Sequence, residues 1–189
     1  MDLIKAITER RSCRDFLPEP VAEEVVNKII QAGIWAPSPM NAQPWEFITI
    51  TSQEVKDEIY NEAEERRKWL VGESGWKWLE SYQVDFVRSA PVIIAVVGDP
   101  ERTGADRFLE GGGMGYQHAC AAASQNMLLA AYSLGLGSVW VTLFDVNAMR
   151  AILDVNAPKV PFALICLGKA KDEQLQSKRK DLLGKTRFM

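Results

Sequence analysis

The segment Tyr116–Ser133 narrows the possible folds more than any other part of the chain. It reads as the most apolar helix of the sequence, carrying Ala119, Ala121–Ala123, Met127–Leu129, Ala130 and Ala131. Small apolar residues around much of its circumference imply close packing on several sides. Such a helix is the central element of one domain or the core of a two-fold dimer. Gly135 and Gly137 end it. A chain of 189 residues suits one domain, residues 1–189, with ample length to bury a core.

Around that helix the pattern alternates between strand and helix signals. Val92–Val97 is an unbroken apolar run of strand length, consistent with burial on both faces, and Phe162–Leu167 is a second. Glu46–Thr51 and Ser138–Phe144 also read as strands. Asp2 can cap a first helix whose inward face would be Leu3, Ile4 and Ile7. A second helix opens at Glu23 and Glu24, with Val25, Val26, Ile29 and Ile30 as its stripe and Gly33 as its stop. Ser52 would cap a charged helix running to about Arg67, and Asp145 a short one.

Composition closes off several function classes. With 47% hydrophobic and 25% charged residues, the chain is globular rather than disordered. A net charge of -3 argues against nucleic acid as a general partner. No apolar run approaches the ~18 residues of a membrane span, and no signal-peptide pattern opens the chain. Cys13, Cys120 and Cys166 show neither disulfide nor metal-ligand spacing, so a reduced cytoplasmic setting is expected, without a metal. His118 is the only histidine, and its place in an apolar helix favours a hydrogen-bonded structural role.

Two stretches carry the functional signal. Arg10-Arg11-Ser12-Cys13-Arg14-Asp15-Phe16 puts three guanidinium groups and a hydroxyl into five residues. Arginine presents a planar fork of donors that fits phosphate oxygens, although a basic helix end can also be plain solvated surface. The second stretch runs from Ala36 to Trp45. Pro37, Pro39 and Pro44 fix an irregular loop that holds Ser38, Met40, Asn41 and Gln43. Asn41 and Gln43 each offer donors and an acceptor, which suits the edge of a flat heterocycle, or a turn in a connector.

Three further segments are suggestive. Lys68–Tyr82 carries Trp69, Trp76, Trp78 and Tyr82 among Gly72 and Gly75, as a mobile lid or a subunit contact would. Gly111-Gly112-Gly113 and Gly115 lack a phosphate-loop pattern and read as a flexible entry to the apolar helix. The polar tail ends in Lys185-Thr186-Arg187-Phe188, of interest only if something pins it.

Taken together, the Arg10-Arg11-Ser12-x-Arg14 stretch, the Pro-Ser-x-x-Asn-x-Gln-Pro-Trp loop, Gly135-Leu136-Gly137-Ser138-Val139-Trp140 and Lys185-x-Arg187 resemble the nitroreductase family of FMN-dependent oxidoreductases. The resemblance covers essentially the whole chain. It implies an α+β fold with a central mixed or antiparallel sheet flanked by helices, and a homodimer holding FMN, bound non-covalently, at its interface. It assigns the ribityl phosphate to Arg10, Ser12 and Arg14, with Arg11 adjacent, joined by Lys185 and Arg187. Asn41, within the Ser38–Gln43 loop, would meet the isoalloxazine edge, and backbone groups of Trp140, Val141, Thr142 and Leu143 would approach N5.

Many family members place Pro-x-Glu-Gly where this chain has Trp140-Val141-Thr142-Leu143, so a carboxylate near the nicotinamide is missing. The activity implied is hydride transfer from NAD(P)H to a flat acceptor such as a nitroaromatic or quinone, in ping-pong order. FMN would carry the chemistry, with no catalytic side chain. Arg14 would stabilise charge on the reduced ring. The missing Glu motivates a flavin carrier or sensor as the competing function. Reductive dehalogenation and flavin fragmentation are specialised chemistries that reuse the same cofactor site.

Overall fold

The computed structural model describes residues 2–172, 177–181 and 184–189. Four strands, β1 (Trp45–Ile50), β2 (Val92–Gly98), β3 (Gly137–Val141) and β4 (Val160–Gly168), form one sheet in the order β1-β2-β4-β3. Every neighbouring pair is antiparallel, so of the two sheet types expected the antiparallel one is realised. The helices are α1 (Leu3–Glu9), α2 (Glu23–Ile34), α3 (Gln53–Ser74), α4 (Phe86–Ser89), α5 (Gly115–Ser133) and α6 (Val146–Leu153).

The two-residue period of the central strands divides the interior into two cores. Val92, Ile94 and Val96 of β2, with Ile165 and Leu167 of β4, pack against α2 and α5 through Val26, Ile29, Ala119, Ala123 and Met127. Ile93 and Ala95, with Leu164 and Cys166, face the other way onto Ile59 of α3, Val87 of α4 and Met149 of α6. Both central strands are therefore buried on both faces, as their unbroken apolar runs require.

Several boundaries differ from expectation, each for a local reason. α2 does not stop at Gly33; that residue is inside the helix, where α5 comes so close that a Cβ would meet Met127 Cγ at 2.9 Å. α3 runs past Arg67 to Ser74 and ends at Gly75 in the left-handed conformation, so Gly72 interrupts nothing. Ser52 makes no capping hydrogen bond, whereas Asp2 and Asp145 both do. β3 ends at Val141, where its pairing to Leu164 stops.

Two expectations about burial are corrected. Leu3, Ile4 and Ile7 are not an inward face: they are 63%, 62% and 50% exposed, and Ala6 alone of α1 is buried. Among the described residues nothing covers that side of the short helix. His118 lies on the exposed side of α5 rather than in a buried hydrogen bond. Conversely, α5 buries Ala119, Ala123 and Ala131 against its own sheet and α2, without a second copy.

Candidate functional site

The edge of the sheet positions the basic stretch. After α1, residues 12–17 lie along the open side of β3 and the end of β4. Ser12 bridges Ser138 in parallel sense, and the Cys13 amide donates to the Ser138 carbonyl at 3.0 Å. Phe16 bridges Ala170, and the Leu17 amide donates to the Lys169 carbonyl at 2.9 Å. The arrangement covers an edge that would otherwise expose unpaired backbone groups. Gly137 makes it possible, because a Cβ there would lie 2.7 Å from both Cβ and Sγ of Cys13. Cys13 and Phe16 are thereby plugged into the core, and Ser12 and Arg14 are left outside. Burial pushes the Cys13 thiol up from its ordinary pKa, so it is packing material rather than a reactive thiolate.

The arginines then part company. Arg10 is the C-cap of α1 and half-buried. Burial holds its guanidinium below its usual value, and the neighbouring charges of Arg11 and Arg179 add to the effect. Arg11 donates through Nη1 to the carbonyls of Thr8 at 2.8 Å and Arg10 at 2.7 Å, while its Nε is buried without a partner. Ser138, 1% exposed and paired to Ser12 through the backbone, also keeps a buried hydroxyl without a partner. Cations that repel one another beside orphaned donors fit a phosphate monoester, which would relieve the repulsion and accept hydrogen bonds. Arg14 turns elsewhere: its Nε donates to the Tyr82 hydroxyl at 3.2 Å.

The tail contributes differently from its motif. Among the described residues, Arg179 is the tail cation whose charge reaches Arg10. Lys185 and Arg187 lie exposed.

The proline-rich loop is held in an unusual backbone shape. Pro39, Met40 and Asn41 form a single helical turn in which Met40 and Asn41 are left-handed, at φ of 51° and 52°, followed by Gln43 at 46°. For Met40 and Gln43 that conformation costs about 1–2 kcal/mol each, whereas asparagine tolerates it. Ser38 Oγ accepts from the Gln43 amide at 3.0 Å, and the Asn41 amide donates to the Ser38 carbonyl at 3.1 Å. The Gln43 side-chain amide donates to Asn41 Oδ1 at 3.4 Å, tying the two amides together. The strained backbone and these hydrogen bonds fix the Asn41 and Gln43 side chains relative to one another. Its anchor is the start of α5, where Gly115 leaves room for Pro39; a Cβ there would meet the Thr103 carbonyl oxygen at 2.1 Å and Pro39 Cγ at 2.9 Å.

At the end of β3 Val141 is buried, and beyond it Thr142 is exposed and Leu143 partly buried. Trp140 turns to the opposite face and packs edge-on against Phe162, with ring centroids 5.9 Å apart. Leu143 and Val141 join the core cluster that holds Cys13, Phe86 and Tyr82. The basic stretch, the end of β3 and the aromatic segment are thus brought together. Among the described residues no hydrogen bond or ion pair joins the Ser38–Gln43 loop to them.

Sequence patterns did not single out Ser138, Arg179 or Tyr82 for the site. Ser138 stands inside the glycine motif of residues 135–140, but strand alternation puts it on the face opposite Val139, so the buried Val139 does not mark its hydroxyl. Arg179 carries no motif, and Tyr82 becomes informative only through its contact with Arg14. Groups of acidic, cysteine and histidine side chains able to hold a metal are absent among the described residues.

An antiparallel sheet covered by helices on both faces, with a cationic stretch laid along its open edge, makes this an α+β fold of the nitroreductase type. The sequence matches the Nitroreductase family over residues 7–169, and the chain belongs to that family of FMN-dependent enzymes. It is 31% identical to a Methanothermobacter thermautotrophicus protein, provisionally named NADH dehydrogenase/NAD(P)H nitroreductase, covering 89% of this chain and 77% of the relative. It is 30% identical to the FMN reductase [NAD(P)H] of Bacillus subtilis, covering 94% and 70%. A provisionally named nitroreductase from Desulfovibrio desulfuricans, solved in complex with FMN, superposes with a TM-score of 0.74 at 29% identity over 100% and 97% of the two chains.

Proposed function

We propose that this protein passes hydride from NAD(P)H to a flat acceptor, a nitroaromatic or quinone, in ping-pong order. The observation that carries the proposal is the cationic cluster of Arg10 and Arg11, docked beside Ser12 and the orphaned Ser138 hydroxyl. Arg10, Arg11 and Ser12 would hold the FMN phosphate, with Lys185 and Arg187 of the tail joining them. Asn41, supported by Ser38, Pro39, Met40 and Gln43, would hydrogen-bond the ring edge. Backbone groups of Trp140, Val141, Thr142 and Leu143 would face N5, and Arg14 the pyrimidine side. When bound, FMN supplies the hydride chemistry, so the chain binds, orients and excludes water without a side-chain acid or base.

The separation of the loop from the basic stretch supports a homodimer, in which each site draws its two halves from two copies. The exposed apolar residues Leu3, Ile4, Ile7 and Trp35 give a partner copy a surface to cover. Residues 1–189 would act as one domain of a cytoplasmic enzyme; among the described residues, no helix is long and apolar enough to cross a membrane.

The test is anaerobic mixing of the FMN-loaded protein with NADH and with NADPH while flavin absorbance is followed. Bleaching on the turnover timescale, reversed by a nitroaromatic or quinone, is expected. Absence of bleaching by either donor would overturn the hydride reading in favour of a carrier or sensor, consistent with the missing Glu at Thr142.

A further inference from the structure

Arg14 is the one arginine of the basic stretch that is held by an aromatic segment distant in sequence. Its Nε–H donates to the Tyr82 hydroxyl at 3.2 Å, across 68 residues of chain. Its guanidinium carbon also lies 5.7 Å from the centre of the Tyr82 ring and 5.9 Å from that of Phe86. Those two rings meet edge to face at 6.4 Å, so together they form an angled seat for the cation. Phe86 is buried in the same core cluster as Cys13 and Val141, which fixes the seat relative to the sheet edge. Among the described residues no carboxylate is paired with Arg14, whereas its neighbour Asp15 is paired with Lys171. A flexible exposed arginine with no acidic partner would sample many rotamers; this one is confined by one hydrogen bond and two ring faces.

We propose that Tyr82 is a positioning residue that orients the Arg14 guanidinium so that its free Nη groups meet the negative charge that reduction adds to the flavin ring. The proposal rests on the assignment of Arg14 to the pyrimidine side of FMN made above. Tyr82 itself touches no reacting atom. Its hydroxyl occupies Nε, which leaves both Nη groups of the fork for the ring, and the two aromatic faces set the plane of the fork. A preoriented cation favours the charged, reduced form over the neutral, oxidised one more than a freely rotating cation does. Trp78 packs edge-on against Tyr82 at 5.6 Å, so the seat is backed by the aromatic segment rather than by solvent.

The experiment compares FMN-loaded wild type with Arg14→Gln, Tyr82→Phe and Tyr82→Leu, measuring the flavin midpoint potential and the dissociation constant of oxidised FMN. Loss of one charge-assisted contact should cost about tenfold in the preference for reduced over oxidised flavin. For a two-electron couple that is a potential lower by about 30 mV. Arg14→Gln should show the full effect, Tyr82→Leu most of it and Tyr82→Phe a part. Tyr82→Leu should add nothing in the Arg14→Gln background. In the flavin-free protein, hydrogen exchange at Arg14 Nε should be slow in wild type and fast in Tyr82→Phe.

If Arg14→Gln lowers the potential while both Tyr82 variants keep the wild-type value, Arg14 needs no positioning and the proposal is wrong, with the flavin assignment intact. If Arg14→Gln leaves the potential unchanged, the assignment of Arg14 fails and the proposal with it. Should Tyr82→Leu not fold, Tyr82→Phe keeps the ring and decides the matter alone.

Discussion

The two regions that meet at Arg14 are built in opposite ways. On one side, residues 12–17 are tied to the sheet edge by backbone hydrogen bonds and plugged by Cys13 and Phe16, both buried. On the other, Trp69, Trp76 and Trp78 stand 52%, 58% and 56% exposed, held mainly by one another and by a few side-chain contacts. Trp76 and Trp78 stack at 6.1 Å, Arg66 sits over the Trp69 ring, and Arg67 reaches the Leu79 carbonyl at 2.8 Å. The first region spends its apolar surface on position, and its polar atoms are left to bind. The second leaves its apolar surface available, so it suits a role that changes between partners, such as a lid over a flat acceptor. Under the proposed function, anchoring the cofactor and selecting the acceptor would fall to different kinds of structure.

The sharpest way to break this contrast is at Gly137. Gly137→Val would drive a side chain into Cys13 and force residues 12–14 off the edge of β3. Overpacking of this kind costs about 1–3 kcal/mol, and the site should lose FMN altogether. Denaturant midpoints and flavin content of the purified variant measure both effects. A Gly137→Val protein that kept its flavin would show that the sheet edge does not position the basic stretch.

Next in size is the phosphate site itself. Arg10→Ala should weaken FMN by about tenfold or more, through loss of a contact worth about 1.5–3 kcal/mol. The tail supplies the sharper question. Lys185→Ala with Arg187→Ala tests the pair suggested by the motif, and Arg179→Ala tests the cation whose charge reaches Arg10. Dissociation constants at fixed salt should rise most steeply for the residues that touch phosphate, whereas Arg179→Ala should weaken FMN only slightly if Arg179 acts through its charge on the cluster without touching the phosphate.

How much of this was legible in the sequence follows from what each signal measures. The continuous apolar runs of β2 and β4 are burial signals, and burial on both faces is what the structure contains. Leu3, Ile4 and Ile7 gave an equally good amphipathic pattern and lie exposed, because periodicity identifies an apolar face without saying which surface covers it. Gly33 and Gly137 look like punctuation in the sequence, yet both mark close approach between elements far apart in the chain. The basic stretch and the proline-rich loop were legible as motifs. The left-handed backbone at Met40 and Gln43 was not, since local propensity disfavours that conformation for both, and only Asn41 is of a type that adopts it readily. The contact between Arg14 and Tyr82 is tertiary, with no local trace at either residue.

A smaller effect separates the ring-facing loop from both regions. Asn41→Ala removes the acceptor for the Gln43 side chain and the group assigned to the isoalloxazine edge, without touching the cationic cluster. Its FMN affinity should fall less than that of Arg10→Ala, while the flavin absorbance spectrum or potential shifts. Equal losses of affinity in the two variants, with an unchanged spectrum, would place Asn41 at the phosphate end instead.

The smallest expected effect on the fold carries the most information about the aromatic segment. Trp76→Ala removes a side chain that is 58% exposed and, among the described residues, stacks on Trp78 alone. Surface substitutions away from the core usually change stability by no more than about 0.5 kcal/mol, so the denaturant midpoint should hardly move. FMN affinity should also stay at the wild-type value, because among the described residues no hydrogen bond, ion pair or ring contact joins Trp76 to a residue assigned to the cofactor. If the segment closes over a flat acceptor, KM for a nitroaromatic or quinone should rise several-fold, as expected for loss of a stacking contact of about 0.5–1.5 kcal/mol. The rate of flavin reduction by NAD(P)H should stay within a factor of about two, within the spread of a surface change. A Trp76→Ala variant that dissociates into monomers with unchanged KM would instead assign the exposed tryptophans to a subunit contact. The two regions would then both be scaffolding, and the contrast between a fixed anchor and an adaptable cover would be lost.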